Sequence, residues 1–177
     1  MTFPNDVVTL SGGLLIGRLV LGLLMVAHAS QKLFGWFGGY GLAGTGGFFE
    51  GLGFRPGRTF AAVAGLTELT SGILVALGFL GPVGPALMLS VMIVAAVSAH
   101  WQNGLFATSN GIEVPLLYAT GASVLALTGP GIFSLDALVG LGGLWTVGLR
   151  WAAIAAGILA GITNLVLRRP ALANSSA

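Results

Sequence analysis

The chain has 177 residues, of which 55% are hydrophobic and only 7% are charged, and it contains no cysteine. Soluble domains carry about 25% charged residues, so this composition excludes an ordinary soluble domain and makes the lipid bilayer the solvent for folding. The lack of cysteine excludes disulfides, thiolate metal sites and iron–sulfur clusters held by this chain alone, and the seven scattered Lys and Arg residues do not support nucleic-acid binding.

Five apolar segments predict membrane-spanning helices, each of which needs roughly 20 apolar residues. They cover residues 10–34, 60–80, 82–100, 113–128 and 148–167. The sequence GPVGP between the second and third segments predicts a tight turn between antiparallel helices. Because no segment shows the alternation of a membrane β-strand, the sequence predicts an all-α, polytopic membrane helix bundle.

The connections between the segments are rich in glycine and aromatic residues. We expect a re-entrant or interfacial segment near residues 36–54. The predicted organisation is a four-helix membrane domain over residues 1–147, an additional transmembrane helix at 148–170 and a flexible tail at 171–177.

Ionisable side chains within the predicted spans are the strongest functional signal, because a charge inside the bilayer costs about 3 kcal/mol or more. His28 and Lys32 are four residues apart, so they share one face of the first helix. At ~1.5 Å per residue, His28 lies ~9 Å and Glu68 ~15 Å from the common end of their helices. His100 and Glu113 flank a connection at that same end. We therefore expect a polar pocket with an aromatic roof, made of His28, Lys32, Trp36, Glu68, His100, Trp101 and Glu113.

Several of these residues also have simpler interpretations. Lys32 is placed where a lysine extends to the membrane surface, and Glu113 is placed where a helix dipole favours a carboxylate. Trp36 and Trp101 fit an aromatic belt. Glu68 fits an ion pair with Arg18 or Lys32, and Arg18 itself fits either the opposite surface or a pairing with Asp6 or Asp136.

Basic residues in the connections predict the orientation of the chain in the membrane. With five spans, one side holds Lys32, Arg55, Arg58, Arg168 and Arg169. The positive-inside rule then places the C-terminus in the cytoplasm and the N-terminus outside. On the last helix, Gly157 and Gly161 form a small-residue face that packs either on the core or on another subunit.

Several motifs occur in the order found in a known family. They are HASQKLFG at 28–35, the Glu68 of the second helix, HWQNGLF at 100–106, GIEVPLLY at 111–118 and GPGIFSLD at 129–136. Over residues 14–140 the chain resembles the DoxX family of small bacterial membrane proteins. The resemblance implies a four-helix membrane bundle, to which this chain adds a fifth helix, and a redox-linked membrane subunit with a quinone as the first cofactor to test.

The leading functional hypothesis is an integral subunit of a quinone-linked oxidoreductase system in the bacterial inner membrane. His28 and Glu68 would be the catalytic residues and would offer hydrogen bonds or protons to a quinone head group. Haem ligation by the two histidines is a weaker alternative, and no metal site is predicted. We also expect other membrane or peripheral subunits, or a homo-oligomer. The alternative functions are a small-solute or lipid transporter and a non-catalytic scaffold that docks through Gly157 and Gly161.

Overall fold

The structure is a computed structural model that describes residues 4–169. Its helices are α1 (Asn5–Phe34), α2 (Gly41–Gly51), α3 (Gly57–Leu77), α4 (Val83–Ala95), α5 (Glu113–Thr128), α6 (Leu135–Leu138) and α7 (Val147–Val166). A π-helical turn (Ala96–His100) continues α4. The described residues contain no β-strand, so the predicted all-α bundle is confirmed. The proposed tail at 171–177 lies outside the described residues.

The long helices coincide with the predicted spans. α1, α3, α7 and α4 with its continuation to Asn103 are each long and apolar enough to cross a membrane. α5 has 16 residues, about 24 Å of helix, and is therefore shorter than a full bilayer core. Glycine sets two of the ends, since Gly35 after α1 and Gly78 after α3 adopt the left-handed conformation that terminates a helix.

The outer surface of the bundle is apolar. Large aliphatic side chains project outward from α1, α5 and α7, including Leu10, Ile16, Leu23, Leu117, Leu159 and Val166. In a chain with several spanning helices, such side chains face the lipid. The chain is therefore a multi-pass membrane protein in contact with the bilayer.

Helices α1 and α3 cross in close contact. A Cβ atom on Gly22 would lie 2.6 Å from the carbonyl oxygen of Gly72, and one on Gly72 would lie 2.7 Å from the carbonyl oxygen of Gly22. The two backbones therefore approach so closely that neither position accommodates a side chain, as in other small-residue contacts between membrane helices. This contact brings the ionisable residues of α1 and α3 within reach of one another.

The additional helix α7 packs along α4 through its two predicted small residues. A Cβ on Gly157 would lie 2.5 Å from the carbonyl oxygen of Ala86, and one on Gly161 would lie 3.0 Å from Ile93. Both glycines are buried. The hypothesis that they form a docking face for another subunit is wrong, because α4 of the same chain already occupies that face.

The end of α7 also contacts the turn between α2 and α3. The Arg168 side chain donates a hydrogen bond to the carbonyl of Leu52, and the Arg169 backbone N–H donates to the carbonyl of Gly53 over 2.7 Å. The α2–α3 turn and the end of α7 therefore lie at the same end of the bundle.

At the opposite end, Asp136 organises the turn between α3 and α4. Its carboxylate accepts hydrogen bonds from the backbone N–H of Leu80 at 2.9 Å and of Gly81 at 2.7 Å, and from the Trp145 indole at 2.8 Å. Leu80 has a φ of 58°, a conformation that is costly for a residue with a side chain. Three donors to one buried carboxylate hold the turn in this conformation.

Arg18 is buried beside this turn, with an exposed fraction of only 1%. Its guanidinium donates to the carbonyl of Phe133 and packs against Gly78, where a Cβ would overlap it. Within residues 4–169, neither Asp6 nor Asp136 forms a direct ion pair with it. The expectation that Arg18 extends to the surface is wrong, because the loop after α5 covers it.

We predict that Asp136→Ala destabilises the protein by at least about 2 kcal/mol, because three donors lose their acceptor in a buried site. Thermal unfolding in detergent measures the effect. The matched control is Asp6→Ala, which removes an exposed carboxylate from the first turn of α1 and should cost less than about 1 kcal/mol. Equal unfolding temperatures for the two variants would contradict this role of Asp136.

Candidate functional site

One cavity of about 320 Å³ lies among α1, α2, α3, α4 and α5, at the end of the bundle where α2 is found. We call it the polar pocket. Its ionisable and polar lining comprises His28, Lys32, Glu68, Ser98, His100 and Tyr118. Pockets of this size that combine apolar walls with a few convergent polar groups are typical of small-molecule sites.

An ion pair between α1 and α3 forms part of the pocket wall. Lys32 Nζ donates to both carboxylate oxygens of Glu68, over 2.8 Å to Oε1 and 2.7 Å to Oε2. The Glu68 side chain is 3% exposed, whereas that of Lys32 is 27% exposed. The carboxylate is therefore neutralised inside the bundle, while the ammonium remains accessible to a third hydrogen-bond partner.

His28 and Tyr118 meet on the same wall. Their ring centroids are 6.0 Å apart and their planes are inclined by 76°, an edge-to-face contact. Tyr118 is buried, with an exposed fraction of 6%, while His28 is exposed. Tyr118 therefore supports the histidine ring from α5 and leaves the imidazole available to a molecule in the pocket.

The π-helical turn supplies a third group of pocket residues. Ser98, Ala99 and His100 all line the cavity, and single π turns often occur at functional sites. The Nδ1 atom of His100 lies 2.8 Å from the carbonyl oxygen of Asn110. Because a carbonyl only accepts, Nδ1 carries the proton, and in the neutral imidazole Nε2 is left as an acceptor.

The remaining walls are apolar and come from four helices. They consist of Phe48 and Phe49 from α2, Leu52 directly after α2, Ala64 from α3, Val91, Met92, Val94 and Ala95 from α4, and Val114 and Pro115 from α5. A ring-shaped ligand would therefore contact side chains without hydrogen-bonding groups over most of its surface, and polar groups only along one wall.

A second cavity of about 580 Å³ adjoins the polar pocket, and we call it the interfacial cavity. It lies between the end of α1 and α2, and its lining includes Gln31, Tyr40 and Thr45. Lys32, Phe48 and Phe49 line both cavities. Lys32 is therefore the polar side chain that connects the two spaces.

The family model described as DoxX matches residues 13–101, half of the chain. The chain belongs to the DoxX family. DoxX proteins are membrane proteins that are often associated with oxidoreductase-related systems. No curated protein and no solved structure matches the sequence.

The DoxX match ends at Trp101. It therefore includes all four of the predicted site residues that line the polar pocket. His28, Lys32, Glu68 and His100 all line the polar pocket. They come from α1, α3 and the π turn, whose ends meet at one side of the bundle.

Three other predicted site residues lie outside the pocket lining. Trp36 and Trp101 are exposed, because Gly35 ends α1 and turns the chain outward, and the π turn ends at His100. Glu113 Oε2 accepts a hydrogen bond from the Ala107 backbone N–H over 2.7 Å. The aromatic side of the pocket is formed by Phe48 and Phe49 of α2 instead.

Sequence reasoning missed Tyr118 and Ser98. Tyr118 lies three and four residues after Pro115 and Val114, and all three line the pocket, so their helical spacing was the available signal. Ser98 had no comparable signal, because its position depends on the π turn. Among residues 4–169, no three His, Asp or Glu side chains are placed to hold a metal ion.

We predict that Lys32→Met destabilises the protein by about 3 kcal/mol, because it leaves Glu68 buried without its cation. The double variant Lys32→Met/Glu68→Leu should recover most of this loss, since an apolar pair replaces an ion pair at little net cost. Denaturant unfolding in detergent micelles measures both. If the double variant is no more stable than Lys32→Met alone, the ion pair does not carry the stability assigned to it.

Proposed function

We propose that the polar pocket binds the head group of a quinone and that this DoxX protein is the membrane subunit of a quinone-linked oxidoreductase system. The observation that carries the proposal is the polar pocket itself. Ionisable side chains from α1, α3 and the π turn line this cavity together with apolar side chains, inside a membrane bundle. Electron transfer to or from the quinone would involve a partner protein.

The pocket residues fit the chemistry of a quinone ring. Such a ring is flat and apolar over its faces and carries two carbonyl oxygens that accept hydrogen bonds. His28 and Lys32 offer donors at one wall, while Phe48, Phe49 and Met92 offer apolar surfaces for the faces. A quinone supplies two-electron, two-proton chemistry when it is bound.

The residues of the chain would hold and move the protons. Lys32 Nζ, already bonded to both oxygens of Glu68, would place an N–H donor at the pocket wall. His28 offers an imidazole, a common proton donor and acceptor in enzymes, at the same wall. Because Lys32 also lines the interfacial cavity, protons can reach this wall from the end of the bundle that holds α2.

Transport of a small solute or lipid is the alternative function for the same pocket. It would require a route to the opposite end of the bundle, where Arg18, Asp136 and Trp145 are packed around the α3–α4 turn. Quinone binding requires access only from one end of the bundle or from the lipid. The polar pocket and the interfacial cavity both lie at one end, so they meet this requirement.

We predict that His28→Ala weakens the binding of 2,3-dimethoxy-5-methyl-1,4-benzoquinone by about tenfold, the effect of one lost hydrogen bond. Glu68→Gln should weaken it to a similar extent, because Lys32 loses the carboxylate that positions its ammonium group at the pocket wall. Microscale thermophoresis of the purified protein in detergent measures the dissociation constants. Val20→Ala is the control, because Val20 lies on α1 and faces outward.

The proposal fails if the wild-type protein does not bind the quinone, or if both pocket variants bind it as tightly as Val20→Ala does. Glu68-dependent uptake of a solute into proteoliposomes, without quinone binding, would favour the transport alternative.

We also propose a bacterial inner-membrane location with the C-terminus in the cytoplasm. Arg55 and Arg58 are exposed at the end of the bundle where Arg168 and Arg169 follow α7, and neither Arg55 nor Arg58 lines the polar pocket. Their positions therefore support the proposed orientation through the positive-inside rule, and this support does not depend on the pocket.

A green fluorescent protein fused to the C-terminus should fluoresce, and an alkaline phosphatase fused at the same place should be inactive. Reversed signals from the two fusions would place the C-terminus outside.

A further inference from the structure

A narrow slot leads sideways from the polar pocket toward the lipid. It is a cavity of about 50 Å³ between α3 and α4. Phe49, Ala64, Val91 and Val94 line both the slot and the polar pocket. The two spaces are therefore neighbours, and the side chains that they share are all apolar.

The slot exists because α3 and α4 touch at one end and separate at the other. Near their turn, the Ser71 hydroxyl donates to the carbonyl of Gly84 over 2.9 Å, and a Cβ on Gly84 would lie 2.8 Å from Leu74. Farther from the turn, the space between Thr67 on α3 and Ser90 on α4 belongs to the slot.

Helix α7 supplies the outer rim of the slot. Asn164 lies one helical turn after Gly161, which is packed on α4, and it lines the slot from outside the α3–α4 pair. On the other rim, Val63 projects outward from α3. The slot therefore opens on the surface that faces the lipid, and α7 lies outside the DoxX match.

The polar side chains of the slot do not need a polar ligand. The hydroxyl of Thr67 donates to Val63, that of Ser90 donates to Leu87, and the amide of Asn164 donates to Ala160. Each of these bonds is made within its own helix. The slot therefore suits a slender apolar chain.

The interfacial cavity is the other way out of the polar pocket, and it has a different character. Its lining includes the polar side chains of Gln31, Lys32, Tyr40 and Thr45 and the backbone of three glycines. Such a lining suits water or a polar head group better than an apolar tail.

We infer that the ligand of the polar pocket carries an apolar tail, and that this tail leaves through the α3–α4 slot under the rim formed by α7. The inference rests on the proposed function, since the head group is the quinone ring assigned to the polar pocket. It gives the additional helix a role in binding: α7 completes the wall of the slot.

The test compares two benzoquinones that share the 2,3-dimethoxy-5-methyl ring, one without a tail and one with a decyl tail. The slot is narrowed from either side by Thr67→Phe or Asn164→Phe. The matched controls are Leu66→Phe and Ile162→Phe, which place the same side chain on the outward surfaces of α3 and α7. Dissociation constants are measured on the full chain in detergent micelles, with thermal unfolding to verify folding.

We expect both slot variants to weaken binding of the decyl quinone by about tenfold or more, the order expected when a bulky group occupies the space of a ligand. Binding of the tail-less quinone should change by less than about twofold, and the controls should match the wild type. Because the same micelles are used for every variant, partitioning of the tail into detergent cancels in the comparison.

Two results would overturn the inference and leave the proposed function standing. In the first, the slot variants bind the decyl quinone as tightly as the controls do. In the second, they lose affinity for both quinones equally, so that the effect does not depend on the tail. If the wild-type protein binds neither quinone, the proposed function and the inference are both wrong.

Discussion

A carboxylate inside a membrane-spanning bundle must be neutralised, and the pairing of Glu68 with Lys32 meets that requirement here. The pair forms only because α1 and α3 approach closely, and they do so because Gly22 and Gly72 have no side chains at their crossing. The ion pair then fixes the relative position of two helices and presents an ammonium group to the pocket. The helix contact, the electrostatics and the candidate chemistry are therefore parts of one arrangement.

The charged groups at the two ends of the bundle differ in burial and in hydrogen bonding. At the α3–α4 turn, the Asp136 carboxylate accepts three hydrogen bonds from the protein itself and is fully buried. At the other end, Lys32 is partly exposed and faces two cavities. A saturated, buried cluster stabilises the fold, whereas accessible donors beside a cavity can bind a ligand. The end of the bundle that holds Asp136 thus stabilises the fold, and the end that holds Lys32 has the features of a ligand-binding site.

Helix α7 is more than an appended membrane anchor. It packs on α4 through Gly157 and Gly161, and it contacts the α2–α3 turn through Arg168 and Arg169. These contacts connect the additional helix to α4 and to the α2–α3 turn, which both adjoin the polar pocket. Its docking also explains why a small-residue pattern alone does not identify an oligomer interface, since the same pattern serves a contact within the chain.

The sequence by itself determined the all-α membrane bundle, the five apolar helices and the common end of His28, Lys32, Glu68 and His100. Helix length and depth along a span depend on local composition and on a constant rise per residue, so they can be read from one chain. It did not determine that Trp36 and Glu113 lie outside the pocket or that Tyr118 lies within it. Those placements depend on how helices rotate against one another and on how loops leave them, at Gly35 and at the π turn. Only tertiary packing sets these rotations, because each depends on contacts between residues far apart in the chain.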